Sequence, residues 1–185
     1  MIRLAYTPDD RRLACWITDV MAVQSWRVRN GEANHITRYE ASVWGTVAEM
    51  AVARHLGIRF RFALGGSEPR ADLTSPSGRY RYEVRSTPWA SRRAFEAGAW
   101  RTFVYPREVA DEGLIVVRVD TFLSGGSMWL TGWLRASEAG TYPLDPGRYL
   151  TRHAVPGPGP LHPPETLPRE VPAAVFRAPD EIGAT

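Results

Sequence analysis

The sequence has no lysine and a single cysteine, although it is 185 residues long. All 23 basic residues are arginine, so any cationic position in a site must be a guanidinium, which does not release its proton. The single Cys15 excludes an internal disulfide framework and a zinc or iron–sulfur site built from cysteines. The fold must therefore depend on an apolar core, for which 44% hydrophobic residues are sufficient.

Long apolar runs are also lacking. No stretch reaches the roughly 18 apolar residues of a membrane span, and the first eight residues lack the apolar block of a signal peptide. We therefore expect no membrane association and a cytoplasmic protein. A net charge of +3 and an isoelectric point near 9.3 permit nucleic-acid binding without requiring it.

Proline is unevenly distributed along the chain. Eight of the 15 prolines lie between Pro156 and Pro179. Because proline fixes φ and removes a backbone donor, residues 151–185 are predicted to be an extended or coiled C-terminal extension. Such a segment could wrap the domain or bind a protein partner. Residues 1–150 are predicted to form one α/β domain.

Periodicity and turn residues predict the order of elements. A helix should start at Thr7-Pro8, and a second should run from Ser42 to Leu56 and end at Gly57. Strands are predicted at 58–62, 71–74, 79–86, 114–119 and 128–134, and the turn at 75–78 should join two of them into a hairpin. For residues 87–112 the pattern does not decide between two interpretations: residues 92–99 could form one or two helical turns, or they could belong to an insertion loop.

Acidic and basic residues recur where these elements should converge. Glu49 lies on the second predicted helix, Asp72 on the first strand of the hairpin, and Glu83-Val84-Arg85 on its second strand. Side chains alternate along a strand, so Glu83 and Arg85 project from one face while Val84 points to the other. Three converging carboxylates repel one another unless a cation lies between them, and a divalent metal ion supplies that charge.

Each of these residues also has a simpler interpretation. Glu49 could be a boundary residue whose carboxylate reaches solvent, and Asp72 could belong to ordinary turn chemistry. Glu83 and Arg85 could be a charge pair on a polar strand face. It is their order along the chain that favours a shared site.

That order, from Ser42 to Leu134, resembles the PD-(D/E)xK nuclease superfamily, and it looks closest to small nuclease-like proteins of phages and GC-rich bacteria. The resemblance implies a restriction-endonuclease-like αβββαβ core with a mixed central sheet, preceded by an N-terminal helix. It also implies that Asp72, Glu83 and the Val84 carbonyl bind Mg²⁺ or Mn²⁺, that Glu49 supports this site, and that Arg85 takes the position of the usual lysine. The chain departs from the pattern twice, because Ala71 precedes Asp72 where the name has proline, and because arginine replaces lysine.

The function implied by this resemblance is metal-dependent hydrolysis of DNA phosphodiester bonds, in the host cytoplasm if the chain is phage-encoded. Arg79, Arg81, Arg92 and Arg93, interleaved with aromatic residues, are predicted to contact the DNA backbone. An ordinary solvated arginine surface is the alternative. Whether the substrate is DNA or RNA, and whether cleavage is internal or terminal, stays open.

Two other functions compete with the nuclease. The first is a DNA-binding module with the same fold but no catalysis, which Arg85 in the lysine position makes credible. The second is an interaction or structural protein of a phage that docks through residues 151–185.

Overall fold

The computed structural model describes residues 1–24, 38–62, 71–98, 100–146, 151–157 and 159–170. The strands are β1 Ile2–Leu4, β2 Leu73–Thr74, β3 Arg81–Trp89, β4 Arg101–Val104, β5 Leu114–Phe122, β6 Ser127–Arg135, β7 Leu144–Asp145 and β8 Arg152–Pro156. The helices are α1 Pro8–Gln24, α2 Arg38–Leu56, α3 Arg92–Ala97 and α4 Pro106–Val109. Short 3₁₀ turns lie at Leu123–Gly125, Ala136–Thr141 and Pro164–Thr166.

A curled, mixed five-stranded sheet forms the centre of this α/β fold, in the order β1-β6-β5-β3-β2. Strands β3 and β5 are parallel along their whole length, from Arg81 opposite Leu114 to Trp89 opposite Phe122. The other pairs in the sheet are antiparallel. All nine residues of β5 are buried, as expected for a central strand that is covered on both faces.

Helices α1 and α2 cover one face of this sheet. The packed side of α2 consists of small and β-branched residues, including Val47, Ala48 and Val52, which let the helix approach the sheet closely. Asp10 of α1 and Arg54 of α2 form an ion pair at 2.8 Å that ties the two helices together. Helix α2 ends at Gly57, whose φ of 67° is in the left-handed region that favours glycine.

A second sheet, in the order β4-β8-β7, lies on the other side of the molecule. The core on that side combines aliphatic residues with an aromatic cluster, in which Phe95 stacks on Trp100 at 5.1 Å between ring centroids. Strand β8 comes from the proline-rich segment and pairs antiparallel with β4. The described part of this segment consists of β8, the 3₁₀ turn at Pro164–Thr166 and irregular chain, and it packs on the domain.

The same segment also completes the edge of β6. The backbone N–H of His162 donates to the carbonyl of Trp133 at 2.7 Å, just beyond the point where pairing with β1 stops. The Trp133 ring nitrogen donates in turn to the carbonyl of Pro163 at 3.1 Å. Gly132 leaves room for this contact, because a Cβ there would lie 2.7 Å from the Cβ of Leu161.

A buried ion pair links β5 to the second sheet. The Arg118 guanidinium and the Asp120 carboxylate are 4% and 0% exposed, and their atoms are 2.5 Å apart. Arg118 also donates to the carbonyl of Arg101 at 3.0 Å, while Asp120 accepts from Thr131 at 2.7 Å and from the Trp89 ring nitrogen at 2.8 Å. These contacts satisfy the buried charges and join strands β3, β4, β5 and β6.

Two predicted elements differ from the structure. Residues 58–62 do not form the predicted strand within the described ranges. The chain instead completes the end of α2, with the N–H of Ile58 donating to the carbonyl of Ala53 at 2.8 Å, and Ile58 and Phe60 pack on the core without strand pairing. Helix α2 also begins at Arg38, before the predicted Ser42.

The undecided stretch 87–112 forms the end of β3, then α3, β4 and α4. Among the described residues, no helix combines the length and the apolar character that crossing a bilayer requires.

Candidate active site

The candidate site lies where β2 stops and leaves part of β3 at the edge of the sheet. Strand β2 is two residues long, with Leu73 opposite Tyr82 and Thr74 opposite Arg81. Tyr82 and Val84 are buried in the core under α2, so Glu83 and Arg85, which alternate with them, project from the other face.

The Asp72 side chain takes the position beside β3 that the backbone of a longer β2 would occupy. Its Oδ2 accepts the backbone N–H of Val84 at 2.7 Å, so this carboxylate replaces a strand carbonyl at the sheet edge. In an extended strand the N–H and C=O of one residue point the same way. The Val84 carbonyl therefore faces the same edge as Asp72.

Glu49 reaches this edge from α2. Burial raises the pKa of Glu49 to about 8, and repulsion from Asp72 and then Glu83 acts in the same direction. Its side chain is half-buried, and no hydrogen bond to its carboxylate is found within the described part of the chain. The sequence-predicted residues Glu49, Asp72 and Glu83 are thus close enough to interact electrostatically, although they come from three elements.

The Arg85 guanidinium is held on three sides. It forms ion pairs with Glu83 and with Glu108, and its Nε donates to the carbonyl of Phe103 at 3.1 Å. It also lies over the ring of Tyr105, 5.4 Å from the centroid. Burial acts to lower the pKa of Arg85, but Glu83 and Glu108 outweigh this effect and the pKa is raised.

Nothing in the sequence singles out Glu108 as a member of this group. It is 8% exposed and lies in the four-residue helix α4, where its second oxygen accepts the N–H of Tyr105 at 3.0 Å. The signal present is Tyr105-Pro106-Arg107-Glu108, which is typical of a helix start with a capping glutamate. That pattern predicts the local bond but not the pairing with Arg85, 23 residues earlier.

Negative charge exceeds positive charge within this group. The carboxylates of Asp72, Glu83 and Glu108 interact with the guanidinium of Arg85, and the Glu49 carboxylate interacts with Asp72 and Glu83. Burial and repulsion from Asp72 raise the pKa of Glu83 to about 7, although Arg85 acts against this. Burial also raises the pKa of Asp72, against the opposing effects of the Val84 N–H and of Arg85. The group therefore favours uptake of protons or of a cation.

A cavity of about 980 Å³ opens beside these carboxylates. Glu49 and Asp72 line it on one side, and the turn at Ser75 and Ser77 forms part of its wall. Arg59 and Arg61 also line it, although the sequence pattern assigns them only to a predicted strand. Carboxylates and guanidiniums in one cavity suit an anionic ligand that is bound together with a cation.

The donor set allows a test for a metal ion. Within the described ranges, no three acidic, histidine or cysteine side chains are arranged as a ready metal cage. Glu83, for its part, is engaged by Arg85. Mg²⁺ does not need such a cage, because it is commonly bound by one or two carboxylates and several waters. Asp72, Glu83 and the Val84 carbonyl are hard oxygen donors of that kind, with surplus negative charge beside them, so these residues fit the ion.

The four arginines predicted to contact DNA lie in different places. Arg79 follows the turn at the cavity wall and lies 5.2 Å above the Tyr80 ring, while Arg81 pairs with Asp111. Arg92 pairs with Glu96 at 2.9 Å on α3, and Arg93 is exposed beside it. Helix α3 follows the far end of β3, six residues beyond Glu83, which corresponds to about 20 Å along a strand. The structure therefore places only Arg79 of the four beside the cavity.

Comparison with known proteins finds no match for this chain among protein-family models, curated proteins or solved structures. The geometry and charge of the site are therefore the basis for a functional hypothesis.

Proposed function

We propose that this protein is a metal-dependent phosphodiesterase of the PD-(D/E)xK type that acts on DNA. The observation that carries the proposal is the approach of Glu49, Asp72 and Glu83 from three elements toward one sheet edge. There burial raises their pKa values, and repulsion from Asp72 raises those of Glu49 and Glu83 further, beside a cavity lined by Arg59 and Arg61. A structural ion-pair network would not need this surplus of negative charge.

The order of elements supports the same proposal. Helix α2 carries Glu49, the β2–β3 hairpin carries the Asp72 and Glu83-Val84-Arg85 segments, and β5 returns parallel to β3. We infer a restriction-endonuclease-like core from this order. Its first strand would fall at 58–62, where the chain is irregular instead.

In this proposal Asp72, Glu83 and the Val84 carbonyl hold the metal ion. When bound, Mg²⁺ or Mn²⁺ would lower the pKa of a coordinated water and offset the negative charge that develops on the phosphate. Glu49 has no hydrogen-bond partner in the described ranges and a pKa of about 8, so its ionised form, which can accept a proton from the water, predominates above about pH 8. Arg85 is not suited to that role, since its pKa is raised further by Glu83 and Glu108.

Arg85 acts in this proposal through position and charge. Its guanidinium fixes the Glu83 carboxylate, and Glu108 fixes the guanidinium from the other side. The DNA backbone would then pass through the cavity along Arg59 and Arg61, with Arg79 next in the chain to Gly78 of the cavity wall.

The test compares Glu83→Gln with Glu112→Gln, because Glu112 is an exposed glutamate outside this group. Both proteins are incubated with single-stranded and duplex DNA in Mg²⁺, Mn²⁺ or EDTA. We expect metal-dependent cleavage by the wild type and by Glu112→Gln, and a loss of about a hundredfold or more in Glu83→Gln with an unchanged circular dichroism spectrum. Wild-type protein that cuts neither substrate with either metal would contradict the proposal.

A DNA-binding module without catalysis is the second candidate, and the contacts of Arg85 favour it. Its guanidinium is already engaged by Glu83, Glu108 and Phe103, which leaves few donors for a substrate phosphate. This candidate predicts DNA binding without cleavage. It also predicts that calorimetry detects no heat of Mg²⁺ binding to the wild type, and therefore no signal for Glu83→Gln to abolish.

A further inference from the structure

The turn between β2 and β3 holds a carboxylate from the C-terminal segment. Glu170 accepts hydrogen bonds from the Ser75 hydroxyl at 2.9 Å, from the Ser77 backbone N–H at 3.0 Å, and from the Ser77 hydroxyl. We call Ser75, Ser77 and the neighbouring Arg79 the anion cradle. The hydrogen bonds from Ser77 lower the pKa of Glu170, with Arg79 contributing by its charge, so Glu170 is held as an anion.

The turn itself is firmly built, which makes the cradle a preformed feature. Ser75 is 3% exposed and its hydroxyl accepts the N–H of Tyr80 at 3.0 Å, while the N–H of Gly78 donates to the Ser75 carbonyl at 2.9 Å. Gly78 has a φ of 78°, which only glycine adopts readily. The donors therefore keep their directions whether or not Glu170 is present.

The donor groups of the anion cradle are suited to a phosphate and are not specific for a glutamate side chain. Two hydroxyl groups, one backbone N–H and one guanidinium charge converge on two carboxylate oxygens. Backbone N–H groups, hydroxyls and arginine are the groups that contact phosphate oxygens in nucleic-acid complexes. The oxygens of Glu170 occupy the positions that two phosphate oxygens would take.

The cradle belongs to the same cavity as the carboxylate group. Ser75, Ser77 and Gly78 line that cavity together with Glu49 and Asp72. An anion bound in the cradle would thus lie on the wall beside the proposed metal site. A phosphodiester chain that passes through this cavity would need both groups. The carboxylates would hold the metal ion, and the wall would bind a neighbouring phosphate.

We propose that the anion cradle is a phosphate-binding subsite, and that Glu170 occupies it in cis until a backbone phosphate displaces it. Glu170 is tethered close by, because Leu167 is buried and the Tyr82 hydroxyl donates to the carbonyl of Pro168 at 2.8 Å. Displacement therefore moves only the residues after this anchor. That the phosphate belongs to DNA rests on the proposed function, whereas the anion specificity of the cradle does not.

The experiment uses Glu170→Ala, with Glu165→Ala as its control. Glu165 lies in the same segment, is 61% exposed on its side chain, and undergoes the same change in charge without touching the cradle. Inorganic phosphate is titrated into each full-length protein while the Ser77 amide is followed by NMR. We expect a saturable shift in Glu170→Ala, with binding at least about tenfold weaker in the wild type and in Glu165→Ala. Adding Ser77→Ala to Glu170→Ala should remove most of that binding.

A second arm measures binding of a short DNA duplex in EDTA by fluorescence anisotropy. Glu170→Ala should bind several-fold more tightly than Glu165→Ala. Phosphate binding at Ser77 without DNA binding by any variant would uphold the cradle and contradict the proposed function. A folded Glu170→Ala protein whose Ser77 amide does not respond to phosphate would show that Glu170 is only a structural latch. Equal DNA affinities of the two alanine variants would overturn the displacement.

Discussion

The Asp72 carboxylate accepts the backbone N–H of Val84 at 2.7 Å, at the point where the shortest strand of the main sheet ends. A side chain thus takes over from the backbone as the neighbour of β3. This lets groups from both faces of the sheet approach one edge, with Glu49 coming from the helical face and Glu83 from the opposite face. The short length of β2 is the local feature that lets the carboxylates of Glu49, Asp72 and Glu83 approach one another.

Replacing Glu49 by glutamine should stabilise the metal-free protein at alkaline pH. Its folded-state pKa is about 8 and the ordinary pKa of a glutamate is 4.5, so the free energy of unfolding falls as pH rises through this window. Glutamine cannot ionise, and Glu49→Gln should be more stable than the wild type by on the order of 2 kcal/mol at about pH 9. The two should be equally stable below pH 4.5. Urea unfolding at both pH values measures this, and a variant that is less stable at alkaline pH would contradict it.

Replacing Arg85 by methionine should destabilise the fold, because Glu83 and Glu108 would then face each other without a cation. We expect the free energy of unfolding to fall by about 3 kcal/mol near neutral pH. Arg85→Lys should lower it by about 1 kcal/mol, because lysine keeps the charge but cannot make all three contacts with Glu83, Glu108 and the Phe103 carbonyl. Arg92→Met is the control. Its ion pair with Glu96 is 60% exposed on the arginine side and should contribute less than about 0.5 kcal/mol. Equal losses in Arg85→Met and Arg92→Met by urea unfolding would refute this account of Arg85.

Two of the Arg–Asp pairs, Arg118–Asp120 and Arg81–Asp111, offer a matched comparison of buried and exposed charge. Asp120→Asn leaves the guanidinium of Arg118 buried without its counter-charge, and should lower stability by about 3–5 kcal/mol. Asp111→Asn removes the partner of Arg81, which is 46% exposed, and should change stability by at most about 1 kcal/mol. Thermal unfolding of both variants tests the contrast. A mild effect of Asp120→Asn would mean that the Arg101 carbonyl and the Trp100 ring suffice for the Arg118 guanidinium.

Gly132→Ala should loosen the C-terminal segment from β6. The new Cβ would meet the Cβ of Leu161 at 2.7 Å and the carbonyl oxygen of His162 at 3.1 Å, so one of the two chains must shift. We expect a loss of about 1–3 kcal/mol and faster proteolysis between residues 159 and 170. Gly45→Ala is the control, since a Cβ there meets nothing within 4 Å and alanine favours helix α2. Unchanged proteolysis of Gly132→Ala would mean that the segment adapts without detaching.

Local patterns in the sequence predict much of the main sheet. The turn at 75–78, the alternation around Glu83 and the apolar run of β5 are each readable within a few residues, and the structure has these elements at β2, β3 and β5. The sequence predicts that Glu49 and Asp72 converge on the sheet face that carries Glu83; the three residues do interact, but Glu49 approaches from the helical face and Glu83 from the opposite one, so they meet at the sheet edge. Whether that edge binds a metal ion stays a prediction.

Long-range pairing is what the sequence does not reveal. Glu108 joins Arg85 through the course of the chain between β3 and α4, and the Arg118–Asp120 pair on β5 finds its partners on β3, β4 and β6. The alternation at 58–62 suggests a strand, but the capping bond from Ile58 to Ala53 takes precedence. Arg59 and Arg61 therefore line a cavity whose presence depends on how α2 ends.

The pairing of β4 with β8 has a consequence for the order in which the protein is made. Translation produces β4 before β8, its described partner, so the nascent chain presents an unpaired strand edge until residues 152–156 emerge from the ribosome. The backbone groups of Trp133 must likewise wait for His162. Residues 152–162 are thus synthesised after the strands with which they pair, and ribosome stalling before residue 152 would leave those backbone groups of β4 and β6 open to aggregation.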